Sequence, residues 1–242
     1  MKRIKSFFSY FSLAERILFL SSVATVLLSY FLSKDGSPLS LIASLIGVTS
    51  LIFCAKGHPV GQMLIIVFAS LYGIISYRFA YYGEMLTYVG MSLPMAMLAL
   101  ISWLRNPYEK GKAEVRVNHR LSRREMLLAS LLSLAVTAVF YFILAALDTA
   151  NLVVSTLSVT TSFLAVYFTF RRSPLYALAY AANDIVLIVL WTLASIKDPA
   201  YLSTLICFFA FLANDIYGFI NWRRMAKKQA ESPTTKERRE AS

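Results

Sequence analysis

The chain of 242 residues is 58% hydrophobic and 15% charged, with a mean hydropathy of +0.62 and a formal charge of +11. A soluble domain carries about 45–50% apolar and about 25% charged residues, so the composition excludes a disordered chain, a disulfide scaffold and a water-soluble enzyme. The basic excess sits in short clusters between long apolar runs, around residues 2–5, 120–124, 171–172 and 223–228. That is the pattern of a membrane topology signal, not of a groove for nucleic acid.

A helix needs about 20 mostly apolar residues to cross the hydrocarbon layer, and eight runs qualify. The first, 13–32, follows Lys2, Arg3 and Lys5 and the aromatic residues Phe7, Phe8, Tyr10 and Phe11, which suit the headgroup layer. It is long and has no Ala-x-Ala cleavage site, so it reads as a retained helix and not a signal peptide. The runs 39–55 and 60–80 are separated only by Lys56-Gly57-His58-Pro59. The fourth, 84–104, contains Pro94, which should kink it, with Met91, Met95 and Met97 as filler. A polar connection over 105–124 leads to the fifth run, 126–147. The last three, 152–170, 174–196 and 199–222, are joined by the turns Arg171-Arg172-Ser173-Pro174 and Lys197-Asp198-Pro199. Proline at a first helical position is an ordinary helix start. Beyond Trp222 the chain is charged and is expected to be a disordered tail. Cys54 and Cys207 fall inside apolar runs and imply neither a disulfide nor a metal site; no cofactor is expected.

With the N-terminus in the cytoplasm and eight crossings, all but Lys34, Arg78 and Lys197 of the 24 lysines and arginines fall on the cytoplasmic side. The charge distribution thus predicts that both termini are cytoplasmic in a multi-pass cell-membrane protein whose surroundings are the lipid bilayer.

The second to fourth runs resemble the sixth to eighth. Residues 44–50 (SLIGVTS) parallel residues 156–162 (TLSVTTS), each triplet has a basic turn ending in proline (Pro59, Pro174), and each ends in Trp near arginine (Trp103, Trp222). The fifth run is then a linker, and the two triplets are parallel repeats, an arrangement used by carriers. The fold class is an all-α polytopic membrane protein. Its parts are a basic N-terminus and extra helix (1–38), a first repeat (39–104), a loop and linker helix (105–147), a second repeat (148–225) and the tail (226–242).

An ionisable group in mid-membrane is a functional candidate by default. Asp184, preceded by Asn183, lies near the centre of the seventh run; Asp215, preceded by Asn214, lies at similar depth in the eighth. Trp191 is seven residues from Asp184 and Tyr180 four, so all three share a helix face, and Tyr217 continues the face of Asn214. With Trp103, these residues form the candidate substrate site: Asn183, Asp184, Trp191, Tyr180, Asn214, Asp215, Tyr217 and Trp103. Acceptors beside aromatic rings suit a flat, polar, cationic solute. The blander readings are interface anchors for Trp103 and Trp222, helix packing for the hydroxyls of the sixth run, and structural carboxyls for Asp184 and Asp215. An intramembrane aspartyl protease lacks its glycine-bearing context here, no other catalytic motif is present, and a non-transporting scaffold has no use for buried Asn-Asp pairs. The chain reads as a carrier and not an enzyme.

Tyr81-Tyr82-Gly83-Glu84 with Pro94 and Trp103, Ala182-Asn183-Asp184, and the closing residues 217–224 (YGFINWRR) resemble the PnuC family of vitamin transporters over roughly residues 39–225. The resemblance implies a SWEET-like 3+1+3 fold, a homotrimer, and facilitated uptake of nicotinamide riboside with trapping by cytoplasmic phosphorylation. Thiamine or riboflavin is the alternative substrate. Where the family has Gln and Gly before its fourth-helix Trp and tryptophans ahead of the Asn, this chain has residues 96–102 without either, and Tyr176 and Ala179. Asn183 is the best ligand carried over.

Overall fold

The computed structural model describes residues 10–32, 38–78, 82–109, 113–149, 151–197 and 202–231. Phe7, Phe8, Tyr81 and the connection after Lys197 lie outside these residues. Lipid offers no hydrogen bonds to the backbone, so each apolar run closes its own as a helix, and among the described residues eight helices are long and apolar enough to cross a membrane. They are α1 (Leu13–Leu32), α2 (Pro38–Ala55), α3 (Val60–Arg78), α4, α5 (Arg123–Ala146), α6 (Leu152–Phe170), α7 (Leu175–Lys197) and α8 (Leu202–Glu231). Local chemistry starts α1 and α5. Ser12 and Glu15 cap each other reciprocally, at 2.7 and 3.3 Å, and Ser122 Oγ accepts from Glu125 N at 3.1 Å.

Two elements differ from the reading of the sequence. α4 is interrupted and not simply kinked: it runs as Tyr82–Leu86, a π-helical turn Thr87–Ser92, and Leu93–Arg105. Pro94 has no N–H to continue the α ladder, and the wider turn absorbs the loss by sending the Leu93 N–H back five residues to Tyr88 O. Met91 is buried there, while Met97 faces outward.

The second difference is at the C-terminus, where α8 continues to Glu231 in place of a disordered stretch after Trp222. Trp222, Met225 and Gln229 form a buried stripe at helical spacing. That stripe packs beneath the connection over 113–122, which is not a loose loop. Val115 and Val117 are buried. Gln229 Nε2 donates to Val115 O at 3.0 Å, and Val117 N donates to Gln229 Oε1 at 2.8 Å. The connection is a strap across one end of the bundle.

The strap also ties the two triplets together at matching places. Val115 N donates to Gly57 O at 3.0 Å and Asn118 N to Arg172 O at 2.9 Å. Gly57 and Arg172 occupy the same position in two turns of one design. Gly57 N bonds Cys54 O and His58 N bonds Phe53 O; Arg172 N bonds Thr169 O and Ser173 N bonds Phe168 O. Both residues have left-handed backbones, with φ of 63° and 55°. The tryptophans cross over: Trp103 Nε1 donates to Thr169 O at 2.9 Å and Trp222 Nε1 to Cys54 O at 2.8 Å. The two rings meet at 5.4 Å. Each triplet thus closes on the other's turn.

His58, in the α2–α3 turn, accepts from Val60 N through Nδ1 at 3.2 Å and packs edge-on against Phe53. Burial holds its pKa below the ordinary value, so the fold favours the neutral ring. For a depressed histidine the unfolded chain binds more protons, and stability is complete above the ordinary value of about 6.5 and lost as pH falls below it. Thermal unfolding between pH 7.5 and 5 should show this decline, and His58→Leu should flatten it. An unchanged slope in the variant assigns the decline to another group.

α1 lies against α8 and α2. Glu15 is buried, accepts two bonds from Lys56 Nζ at 3.0 and 3.1 Å, and accepts from Tyr217 OH at 3.0 Å. About two turns along α1, Asn214 Nδ2 donates to Ser22 Oγ at 2.8 Å.

Candidate functional site

The site grows from the pairing of α7 and α8. Trp191 stacks on Phe208 with rings 6.4 Å apart and nearly parallel, and a Cβ at Gly218 would lie 3.4 Å from Tyr176 OH. The helices therefore run antiparallel. Seven residues from the stacked pair in each direction brings Asp184 level with Asp215. Both are buried, and their carboxyl groups interact directly. Asp184 Oδ2 receives no hydrogen bond among the described residues. Cys54, Tyr176 and Tyr180 lie within electrostatic reach of Asp215, and Tyr88 within reach of Tyr180. No lysine or arginine is among the buried residues described.

Asn183 turns toward α6. Its Oδ1 accepts from Thr161 Oγ1 at 2.8 Å and Ser162 Oγ at 3.0 Å. The equivalent place in the first triplet, by the spacing of Pro59 and Pro174, is Phe68. Phe68 lies 5.5 Å from Tyr72 and 5.8 Å from Tyr88, and Tyr72 and Tyr88 are 4.4 Å apart. One triplet offers a polar wall and the other an aromatic one. An aromatic face beside carboxyls and carboxamides holds a flat cation by its π-surface and its charge together.

Of the eight residues marked in the sequence, the structure groups Asp184, Asp215, Tyr180 and Trp191 along the α7–α8 contact, with Asn183 next to Asp184 in the chain and facing α6. It does not bring the other three to them. Asn214 and Tyr217 face α1, through Ser22 and Glu15. Trp103 is buried at the strap end, bonded to Thr169 O. Thr161, Ser162, Tyr72 and Tyr88 join the candidate residues. In the sequence the hydroxyls of the sixth run read as helix-packing positions, and nothing there pointed them at Asn183.

A model of the nicotinamide mononucleotide transporter family matches residues 37–224. The chain belongs to that family. Among curated relatives, the nicotinamide riboside transporter PnuC of Neisseria mucosa is 27% identical over 92% of this chain and 84% of its own. That of Haemophilus influenzae is 21% identical over 82% of this chain and 84% of its own. The crystal structure of the vitamin B3 transporter PnuC superposes with a TM-score of 0.76 at 24% identity, covering 90% of this chain and 94% of that one. The family match spans α2 to Arg224 and leaves α1 outside it. The chain is a multi-pass membrane transport protein of this family, with the N-terminal helix α1 docked on its flank.

Proposed function

We propose that this protein carries nicotinamide riboside across the cell membrane by facilitated diffusion, with a cytoplasmic kinase trapping the product. The observation that carries this reading is the buried pair Asp184 and Asp215, with no lysine or arginine among the buried residues described. The pyridinium of the riboside is a flat cation that such a pair attracts, with Trp191, Tyr72 and Tyr88 as stacking surfaces. The phosphate of a mononucleotide would face two carboxyls and no cation, which makes it the poorer cargo in spite of the family's name. Thiamine, also a flat cation, is the second reading; riboflavin, which is neutral, fits the charge less well. The role is transport and not catalysis. The bundle is a 3+1+3 arrangement of the SWEET type, with α5 as linker, assembled as a homotrimer, as the family resemblance implies.

Titration of the purified protein should give affinity in the order nicotinamide riboside, then thiamine, then riboflavin, with the mononucleotide weakest. Uptake into proteoliposomes should stop at equal concentrations on both sides. Tighter binding of the mononucleotide, or accumulation driven by a proton or sodium gradient, sinks the proposal.

The orientation follows from the basic residues: both termini and the strap lie in the cytoplasm. After removal of Cys54 and Cys207, an impermeant thiol reagent outside intact cells should label Asp148→Cys and spare Lys112→Cys. The reverse pattern inverts the molecule.

A further inference from the structure

The turn after α6 gathers three guanidinium groups. Arg171 and Arg172 are consecutive, and Arg116 of the strap lies within electrostatic reach of Arg172. The acid nearby is Glu125 at the start of α5, and it is engaged, accepting from Arg171 Nε. Arg172 has no such partner among the described residues. Its Nε and Nη1 are buried and make no hydrogen bond among the described residues. Burial, with Arg171 and Arg116 beside it, works against its charged form.

The backbone adds a second, independent oddity. Arg172 holds a left-handed φ of 55°, rare for a long side chain. Its counterpart Gly57 makes the same turn with the same hydrogen bonds at φ 63°, where glycine meets no steric penalty. The fold therefore accommodates glycine in this turn, yet one of the two copies carries an arginine in a strained conformation with two orphaned donors. Unpaired donors on a left-handed residue, in a cluster of like charges, suit an anionic partner.

We propose that Arg172, flanked by Arg171 and Arg116, binds the phosphate group of an anionic ligand at the strap end of the bundle. The guanidinium of Arg172 offers two unpaired donors, Nε and Nη1, on different edges of its plane, and each can make a charge-assisted hydrogen bond to a phosphate oxygen. The turn amides of Arg172 and Ser173 are already used within the fold, so recognition rests on the side chains. A phosphate reaches this place from two sources, a dissolved phosphate compound or the headgroup of an anionic lipid at the membrane surface. The site is separate from the α7–α8 carboxyl pair and does not depend on what the protein transports.

The test is thermal unfolding of the full chain in nanodiscs, at constant ionic strength, with chloride replaced by inorganic phosphate or phosphatidylcholine by phosphatidylglycerol. The variants are Arg172→Gly, which copies the Gly57 turn, and Arg120→Ala, which removes an exposed charge outside the cluster. Phosphate at about tenfold over its Kd should raise the wild-type midpoint by about 3–5 °C and that of Arg120→Ala equally, and leave Arg172→Gly unmoved. This outcome supports a dissolved phosphate ligand. A rise with phosphatidylglycerol alone, lost in Arg172→Gly, supports a headgroup ligand. A wild type that responds to neither probe, or a glycine variant that responds as fully as the wild type, overturns the proposal. Arg172→Lys, which keeps the charge without the fork, supplies the same comparison if the glycine variant is not recovered.

Discussion

Trp222→Ala should destabilise the protein by about 3–5 kcal/mol, the cost of removing a large buried aromatic side chain and leaving a cavity. Trp222 is fully buried, touches Trp103 and Tyr176, and bonds across the triplets to Cys54 O. Trp222→Phe separates packing from hydrogen bonding. Cys54 O also accepts from Gly57 N at 2.9 Å, so it is not orphaned when the indole N–H is lost, and this variant should cost only about 1 kcal/mol. Trp103→Phe should behave alike, because Thr169 O keeps Arg172 N. Thermal unfolding in detergent checks all three. Wild-type melting of Trp222→Ala means that the crossed tryptophans do not hold the strap end shut.

Asp184→Asn should weaken the binding of a cationic vitamin by about 1–3 kcal/mol, the scale of a charge-assisted contact, or about 5- to 150-fold in Kd. The amide keeps the shape and can donate to Asp215, so expression and melting temperature should change little. Binding of neutral riboflavin, if measurable, should be nearly unaffected. Normal affinity for the cation combined with a lowered melting temperature makes the carboxyl a structural group and removes Asp184 from the site.

Much of the fold was legible because lipid reduces the problem to counting apolar runs. α6 begins and ends where hydropathy places it, and the other seven spans overlap their expected runs. The misread stretch, residues 223–231, is charged enough to pass for solvent-exposed tail. Its helical signal was a sparse stripe, Met225 and Gln229 in register with Trp222, and that stripe has meaning only once the strap lies over it. The π-turn of α4 was half legible: Pro94 announced a defect, but whether a helix bends or widens depends on neighbours such as Val159 and Phe163, which pack near Met91.

The site divides in the same way. Asp184 and Asp215 stood out because a carboxyl deep in an apolar run needs a reason, and equal depth on adjacent helices paired them. Asn214 was legible as polar but not as to direction. One residue is about a third of a turn, which swings it from Asp215's side to Ser22 of a helix nearly two hundred residues earlier. Glu15 was overlooked because it sits at the start of a run, where an acid looks like an ordinary helix cap. Its ties to Lys56 and Tyr217 belong to tertiary structure.

Those ties set an order for building the molecule. Ser22 and Asn214 are 192 residues apart, so at about 5–20 residues per second α1 leaves the ribosome roughly 10–40 s before its partner on α8 exists. Lys56 arrives early and neutralises Glu15 while the bundle is incomplete; Ser22 and the Tyr217 bond to Glu15 must wait for the last helix. A helix made about 190 residues ahead of its partner is thus among the last to be fastened, and the flank it closes stays open until α8 is made.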